Sequence, residues 1–310
     1  MLVFAIKNLQ ILFPAPGGVI HAVDTVNLEL NAHDKLALIG ESGCGKTVLA
    51  HSILRLLHGT TKISGEILYR GTDVLSANDS TLQKIRGKEI GMIIQNPGLS
   101  LNPVRTIGKQ IAESCIEREK MSSVEAFKYA EDMLKMVGFS NPTKIALSYP
   151  HQLSGGMAQR AVVALGLTLN PQMLIADEPT KSLDEMSKRE IIDLLIEMSK
   201  DKTLLMITHD LEAASCISNR VMVMYAGELI EEGPTEEIMN NPRHPYTKGF
   251  MNAQPKRGLK PIPGISPSLL NLPKGCRFHP RCSYAFPKCK TNHPELIGRN
   301  GHKVRCHACH

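Results

Sequence analysis

A chain of 310 residues, of which 42% are hydrophobic and 21% charged, can bury a large core and has the composition of a globular protein rather than a disordered or fibrous one. The net charge of +6 is a mild basic excess without a dense block of Lys and Arg, so we expect a solvated surface and no nucleic-acid partner. No apolar run is long enough to span a bilayer, and residues 1–9 alternate like a strand rather than forming the apolar centre of a signal peptide. These features disfavour an integral membrane protein and favour a cytosolic chain that can dock on one.

Apolar periodicity and turn residues predict an α/β chain. Taken in order, the predicted strands are 2–12 and 20–30, which form a hairpin, 36–39, 63–69 with a bend at Gly65, 90–94, 173–176, 203–207 and 221–224. The predicted helices are 107–119, 123–137, 157–169 and 188–200, with one more after residue 234. Strands that alternate with helices favour a mainly parallel sheet covered on both faces, with an all-helical insertion between residues 104 and 165. The proline-rich stretch 242–273 is expected to be an extended linker or strap without lasting regular structure.

One segment has the pattern G-x-x-x-x-G-K-T, and it consists of Gly40, Glu41, Ser42, Gly43, Cys44, Gly45, Lys46 and Thr47. An apolar strand precedes it and a helical pattern follows it, which is the context of a phosphate-binding loop. The glycines allow a tight bend whose N–H groups face a phosphate chain. Lys46 supplies a charge for the outer phosphates, and the hydroxyl of Thr47 supplies a ligand for Mg²⁺. The alternative, a glycine-rich turn that binds nothing, does not explain the strand and helix on either side.

A second candidate site follows the predicted strand 173–176, where Asp177 and Glu178 stand side by side. The carboxyl ends of parallel strands are where ligands bind in open α/β sheets. Asp177 is placed to hold Mg²⁺, directly or through water, and Glu178 is placed to orient the attacking water or to accept its proton. The alternative is that these acidic residues only begin a loop and cap the next helix.

Further short motifs stand at other strand and helix ends. They are Gln95 at a strand end, Leu153, Ser154, Gly155 and Gly156 before a helix, Ser182, Leu183 and Asp184 after the acidic strand, and His209 at a strand end. Together with the loop and the acidic pair, these motifs and their order resemble those of ABC-type ATPases over residues 2–240. Three positions depart from the commoner residues of the family: Met157 stands where Gln is common, Cys44 where Ser is common, and Thr47 replaces Ser.

The resemblance implies the P-loop NTPase fold of ABC ATPases, with a mixed sheet, an N-terminal antiparallel β part and an inserted helical subdomain at about residues 96–165. In that family two such domains pair head to tail, and the turn at Ser154, Gly155 and Gly156 of one domain meets the ATP held by the loop of the other. The other implied roles are Mg²⁺ or water contact for Gln95, γ-phosphate contact for His209, a place at the dimer seam for Asp184 and adenine stacking for Phe13. The rival interpretation is an ABC ATPase that acts on nucleic acid or ribosomes. Such proteins usually carry two ATPase domains in one chain or long coiled-coil insertions, and the sequence shows neither pattern.

Three C-terminal segments, 241–247, 262–264 and 272–282, remain outside these motifs. They resemble the C-terminal region of a narrower class, the peptide/nickel importers. The resemblance implies an ATPase subunit, peripheral at the cytoplasmic face of the membrane, that powers the import of peptides, nickel or a metal chelate. Its implied partners are a second ATPase subunit, identical or not, two transmembrane permease subunits and an extracytoplasmic solute-binding protein. We therefore expect an ATPase domain at residues 1–240 and an extension at 241–310 that ends in a small, irregular, Cys-rich region.

Five of the eight cysteines lie close to the end of the chain. Cys276, Cys282, Cys289 and Cys306 are separated by five, six and sixteen residues, which are wider gaps than the C-x₂₋₄-C of zinc fingers and ribbons. Four thiolates on a proline-constrained segment are able to ligate a [4Fe–4S] cluster, and some members of the class that the chain resembles carry one. Zinc and no metal remain alternatives, and Cys309, which forms a C-x₂-C pair with Cys306, could replace Cys306 as a ligand.

Overall fold

The computed structural model describes residues 1–254, 258–299 and 301–309, so residues 255–257 of the proline-rich stretch lie outside the described part. The chain divides into two compact units: the first comprises Met1–Ala77 and Met206–His310, and the second comprises Asn78–Leu205. Over the described ranges, every helix is too short or too polar to cross a membrane.

The strands and helices of the described residues are numbered in chain order. The strands are β1 (Leu2–Ala15), β2 (Gly18–Asn31), β3 (Lys35–Ile39), β4 (Lys62–Tyr69), β5 (Thr72–Asp73), β6 (Ile90–Ile93), β7 (Met173–Asp177), β8 (Thr203–Thr208), β9 (Arg220–Tyr225), β10 (Glu228–Pro234), β11 (Ile297–Arg299) and β12 (His302–Val304). The α-helices are α1 (Lys46–Ile53), α2 (Asp79–Ile85), α3 (Pro97–Ser100), α4 (Ile107–Glu119), α5 (Ser123–Met136), α6 (Pro142–Leu147), α7 (Gly155–Leu167), α8 (Glu185–Met198), α9 (Leu211–Ile217), α10 (Thr235–Asn240), α11 (Pro245–Asn252) and α12 (Pro287–Thr291). Two short 3₁₀ turns occupy Pro150–Gln152 and His279–Arg281.

The first unit contains an antiparallel sheet with the strand order β2-β1-β4-β5. The predicted hairpin is confirmed, because β1 pairs with β2 along its length. The bend predicted at Gly65 is also confirmed: its φ is 97°, and two residues of β1 oppose it. A Cβ at Gly65 would lie 2.5 Å from the carbonyl oxygen of Asn8. Glycine therefore lets the two strands stay paired across this irregularity.

The same unit contains a second set of paired strands, in the order β11-β12-β10-β9-β3. β3 and β9 are parallel, whereas the other neighbours are antiparallel. Residues 36–39 and 221–225 are buried, as expected for apolar runs covered on both faces. The sequence did not predict β10, β11 and β12. Through β12 and β11, residues near the end of the chain join the sheet that contains β3, the strand before the phosphate-binding loop.

The proline-rich stretch departs from its prediction at one place, where Pro245–Asn252 forms α11 instead of extended chain. The first residue of α11 is proline, which costs no hydrogen bond there because the first N–H groups of a helix have no partner within it. The side chain of His244 then caps the helix by accepting a hydrogen bond from the N–H of Tyr246 at 3.0 Å. Farther along, the carbonyl of Leu269 accepts a hydrogen bond of 2.9 Å from the N–H of His21 on β2. That part of the stretch does lie as a strap along the first unit.

The second unit pairs β6 with β7 in parallel. Between these strands the described chain contains helices but no strand, so the predicted helical insertion is confirmed. α4 has its predicted bounds, and α5 ends one residue early. α5 begins with a capping box, in which Ser122 and Glu125 each accept a hydrogen bond from the other's backbone N–H. α7 begins two residues earlier than predicted because the hydroxyl of Ser154 caps it.

Candidate nucleotide-binding site

The predicted phosphate-binding loop, residues 40–47, connects β3 to α1 in the first unit. Gly40 has a φ of 154° and Gly45 a φ of 109°. A Cβ at Gly40 would lie 2.2 Å from the carbonyl oxygen of Met224, and a Cβ at Gly45 would lie 2.1 Å from that of Ala22. No side chain fits at such distances, so both positions require glycine. The loop is therefore seated closely against β2 and β9.

Lys46 is the first residue of α1, and only 5% of it is exposed. Its ammonium group donates hydrogen bonds to the carbonyl oxygens of Gly40 at 2.8 Å and Glu41 at 2.9 Å. Both acceptors belong to the loop, so the positive charge is held on the loop itself. A polyphosphate can compete for this ammonium group, because hydrogen bonds to charged oxygens are stronger than those to neutral carbonyls.

The middle of the loop faces solvent. Ser42 and Gly43 are exposed, and a Cβ added at Gly43 would meet no atom within 4 Å. Cys44 beside them is buried, and burial raises the pKa of its thiol. Thr47 is half-buried in the first turn of α1, where the positive end of the helix dipole favours an anion. An open loop followed by a helix start suits a phosphate chain, and the Thr47 hydroxyl suits Mg²⁺, which prefers oxygen ligands.

Two further predicted residues lie in the first unit. Phe13 is half-buried near the end of β1 and pairs with Ile20 of β2. His209 is exposed directly after β8. The structure thus places His209 at a strand end, as predicted, and leaves Phe13 partly exposed.

The second unit brings Gln95 and the acidic pair to the ends of neighbouring strands. Ile93 of β6 is in register with Ala176 of β7, and the two chains then continue to Gln95 and to Asp177. Asp177 is fully buried, and Glu178 is 8% exposed with a φ of 49°. A positive φ is uncommon for a residue other than glycine, because this backbone conformation is strained. Such strained residues cluster at functional sites. Gln95, Asp177 and Glu178 thus follow the ends of two paired strands, which is where ligands bind in open α/β sheets.

The alternative interpretation of the acidic pair as a helix cap is wrong. Asp184 is the N-cap of α8, and its carboxylate accepts hydrogen bonds from the N–H groups of Met186 at 3.1 Å and Ser187 at 3.0 Å and from the Ser187 hydroxyl at 2.7 Å. The hydrogen bonds from the Ser187 backbone and hydroxyl lower the pKa of Asp184. The N-cap of α8 is therefore Asp184 and not Asp177 or Glu178.

The turn that precedes α7 lies beside the start of α8. Ser154 caps α7 by accepting a hydrogen bond of 3.4 Å from the N–H of Met157, and Ser154 and Gly155 are exposed. A Cβ at Gly156 would lie 2.7 Å from the hydroxyl oxygen of Ser187, the residue that also holds Asp184. The structure therefore brings Ser154, Gly155, Gly156 and Asp184 to one exposed face. Sequence reasoning missed Ser187, although the residue three positions after an N-cap aspartate commonly donates its N–H to that cap.

The loop also has C-terminal contacts that no motif indicated. Both carboxylate oxygens of Glu41 accept hydrogen bonds from Arg281, at 3.0 and 3.1 Å, and one of them also accepts a hydrogen bond from Ser266. The backbone N–H of Glu41 donates to the hydroxyl of Tyr246 at 2.9 Å. Arg281 is 240 residues from Glu41, so local sequence patterns could not reveal this contact.

The predicted cysteine ligands do converge. One small cavity of about 10 Å³ is lined by Cys276, Cys282, Cys289 and Cys306 together with His244, Pro245, Phe278, His279, Tyr284, His307 and Ala308. Among the described residues, no group of three or more His, Cys, Asp or Glu side chains has the arrangement of a formed metal site. Four soft sulfur donors suit a metal–thiolate centre, but a cavity of this size holds about one water molecule. The donor chemistry fits a cluster, and the space fits one only if the walls move outward.

Cys309 lies beside this set. Its sulfur is 3.3 Å from the carbonyl oxygen of Arg243, and a hydrogen bond from Cys309 lowers the pKa of Cys306. Burial raises the pKa of Cys276 to about 12. Cys306 lines the cavity and is the better ligand candidate of the C-x₂-C pair.

Comparison with known proteins agrees with this geometry. Residues 23–181 match the family described as ABC transporter, and residues 230–289 match the family described as oligopeptide/dipeptide transporter, C-terminal region. A putative peptide import ATP-binding protein of Brucella melitensis is 41% identical over 96% of this chain and 94% of its own length. The oligopeptide transport ATP-binding protein OppD of Bacillus subtilis is 43% identical over 91% of this chain and 81% of its own length.

Comparison with solved structures also finds similarity to ATP-binding cassettes. An ATP-binding cassette solved as a dimer in a post-hydrolysis state with ADP and Pi is 30% identical, covers 75% of this chain and 98% of its own, and superposes with a TM-score of 0.67. The predicted α/β fold of a P-loop NTPase, with a mixed sheet, an antiparallel N-terminal part and a helical subdomain, is confirmed. The chain belongs to the ABC transporter family, and it is an ABC-type ATPase.

Proposed function

We propose that this chain is the ATP-hydrolysing subunit that powers the import of peptides across the cytoplasmic membrane. The observation that carries the proposal is the presence, in one chain, of a phosphate-binding loop and of a segment that matches the C-terminal region of oligopeptide/dipeptide transporters. The relatives named above transport or import peptides by name. This favours peptides over nickel or a metal chelate as the solute.

Each predicted residue has a role in the proposed ATPase. The N–H groups of residues 40–47 bind the phosphates, and Lys46 neutralises the outer ones. Thr47, Gln95 and Asp177 would hold Mg²⁺, which would supply positive charge to the phosphates and Lewis-acid polarisation of the γ-phosphate. The remaining roles are proton acceptance from the attacking water by Glu178, γ-phosphate contact by His209 and adenine stacking by Phe13.

Pairing with a second ATPase subunit completes the proposed site. The exposed turn at Ser154, Gly155 and Gly156 begins α7, and its N–H groups can bind the phosphates of ATP held by the partner. Asp184, exposed on the same face, would line the seam. We further propose an ATPase domain at residues 1–240, an extension at 241–310, and a place at the cytoplasmic face of the membrane. Two permease subunits and an extracytoplasmic solute-binding protein would complete the importer.

The substitution Glu178→Gln tests the proposed chemistry. Glutamine has the same shape but cannot accept a proton, so we expect ATP hydrolysis to fall by roughly 100- to 1,000-fold while ATP binding is retained. Glu185→Gln is the matched control. The Glu185 side chain is 89% exposed, so this variant should hydrolyse ATP normally. Steady-state phosphate release and equilibrium binding of a fluorescent ATP analogue measure the two quantities. Normal turnover by the Glu178 variant would rule out this residue as the base.

We also propose that Cys276, Cys282, Cys289 and Cys306 hold a [4Fe–4S] cluster. The convergence of these four cysteines on one cavity supports the proposal. Because the cavity is smaller than a cluster, its walls must move apart when the cluster binds. Full-length protein purified without oxygen should be brown and contain iron and sulfide, and Cys289→Ser should lose both. Cys216→Ser is the control, because Cys216 is exposed in α9. Colourless protein with bound zinc would support the zinc alternative, and protein with neither metal would reject both.

A further inference from the structure

The carboxylate of Glu41, the second residue of the phosphate-binding loop, is held by the C-terminal part of the chain. Two nitrogens of the Arg281 guanidinium group donate to its two oxygens, at 3.0 and 3.1 Å. This paired geometry is the strongest and most directional form of the Arg–carboxylate interaction. Ser266 donates to the same carboxylate. The position of Glu41 is thus set by residues outside the loop.

The guanidinium group is itself fixed from several directions. Its Nε donates to the carbonyl oxygen of Pro263 at 3.0 Å, and Nη1 also lies 3.0 Å from the Ser266 hydroxyl. Its central carbon lies 5.8 Å from the ring centre of Tyr225 and 5.9 Å from that of Phe278, within the range of cation–π attraction. The Arg281 side chain is only 6% exposed. Arg281 therefore presents a rigid fork to Glu41 rather than a mobile surface charge.

The contact matters for phosphate binding because of where Glu41 stands. Its backbone carbonyl and that of Gly40 accept hydrogen bonds from Lys46, and its N–H donates to Tyr246. A shift of Glu41 would therefore also displace the acceptors that position the lysine. An uncompensated carboxylate at this place would repel a polyphosphate, whereas a paired one adds little net charge.

We propose that Arg281 is a positioning residue for ATP. By pairing with Glu41, it keeps the phosphate-binding loop in the conformation that binds the phosphates, and it compensates the negative charge of the Glu41 carboxylate. The inference rests on the proposed role of this loop as the ATP site. It adds a residue of the C-terminal segment to the support of that site. The backbone of Arg281 is held as well, since its N–H donates to the carbonyl of Phe278 at 3.0 Å.

Four variants of the full-length chain test the proposal through the affinity for Mg-ATP. Arg281→Gln should weaken binding about tenfold, which corresponds to the loss of about one strong charge-assisted interaction. Arg281→Lys keeps the charge but not the fork and should weaken binding by about threefold. Glu41→Gln removes the charge that needs compensation and should change binding less than Arg281→Gln does. In the double variant, binding should return toward that of Glu41→Gln alone, because the unpaired carboxylate is gone.

Lys303→Gln is the matched control. Lys303 forms an ion pair of 3.3 Å with Glu232 between β12 and β10, and its side chain is 50% exposed. This pair also joins the C-terminal segment to the sheet but has no contact with the loop, so ATP affinity should stay at the wild-type value. Thermal melting of every variant without nucleotide separates a loss of folding from a loss of binding.

The outcomes are distinguishable. If wild-type protein binds no ATP, the proposed function fails. If wild-type protein binds ATP and folded Arg281→Gln binds it equally well, the inference about Arg281 is overturned, whatever the melting temperature. Should Arg281→Gln not fold, the folded Arg281→Lys protein decides by the same comparison. An affinity of the double variant no better than that of Arg281→Gln would contradict the charge argument.

Discussion

Two glycines of the phosphate-binding loop should respond very differently to the same added methyl group. At Gly45, alanine would adopt a φ of 109° and place its Cβ 2.1 Å from the carbonyl oxygen of Ala22. Backbone strain costs about 2 kcal/mol, and forced overpacking adds about 2 kcal/mol. Gly43 also has a positive φ, 81°, but its added Cβ would meet no atom within 4 Å. Only the strain applies there, about 1–2 kcal/mol.

Thermal unfolding of full-length Gly45→Ala and Gly43→Ala, followed by circular dichroism, measures this difference. For a chain of this size, about 4 kcal/mol lowers the melting temperature by roughly 10 °C, and 1–2 kcal/mol lowers it by about 4 °C. We therefore expect Gly45→Ala to melt well below Gly43→Ala. Equal losses would show that the close approach of Gly45 to β2 does not limit this position, and the argument from Cβ distances would fail.

Three other predictions concern the stability of the rest of the chain. Although burial acts to raise the pKa of Asp24, the charge and hydrogen bond of Arg277 hold this pKa below its usual value. The Asp24–Arg277 pair therefore stabilises the fold above the usual carboxyl range, and this stabilisation is lost as the pH falls below about 4. Asp24→Asn should remove this part of the acid sensitivity in urea unfolding. Glu231 is fully buried and accepts a hydrogen bond from His302 at 2.8 Å, so Glu231→Gln should lower the free energy of unfolding by about 2 kcal/mol. Ser122→Ala removes the capping box of α5 and should cost about 1 kcal/mol in the same assay with normal ATP hydrolysis.

The parts of the fold that could be predicted are those with a local physical cause. Buried strands such as β3 and β7 are short apolar runs, and α4 and α5 begin at recognisable signals such as the capping box at Ser122. The loop at residues 40–47 was predictable because its glycines, lysine and threonine follow one another directly. The four cysteines that line one cavity were selected from their spacing, from the chemistry of thiolate ligands and from the resemblance to the peptide/nickel importers.

Errors arose where position within an element mattered more than composition. The prolines after residue 241 suggested extended chain, but Pro245 begins α11, the one place in a helix that tolerates it. Conversely, Val48, Leu49, Ile53, Leu56 and Leu57 recur at helical spacing after the loop and indicate a longer helix. In the structure, α1 ends at Ile53 and Leu56 is 45% exposed. In both cases the end of the element is decided by capping and packing, which apolar periodicity does not contain.

Contacts between distant parts of the chain lay beyond prediction, and they change how the C-terminal segment is understood. Its strand β12 pairs with β10, and its Arg277 lies 3.7 Å from the carboxylate of Glu228, which is 3% exposed. His293 also contacts this carboxylate, at 2.6 Å. A buried carboxylate that loses such partners is costly, and an uncovered strand edge is prone to pair with other chains. The C-terminal segment thus packs against the sheet and contacts the phosphate-binding loop directly, through the hydrogen bonds between Arg281 and Glu41.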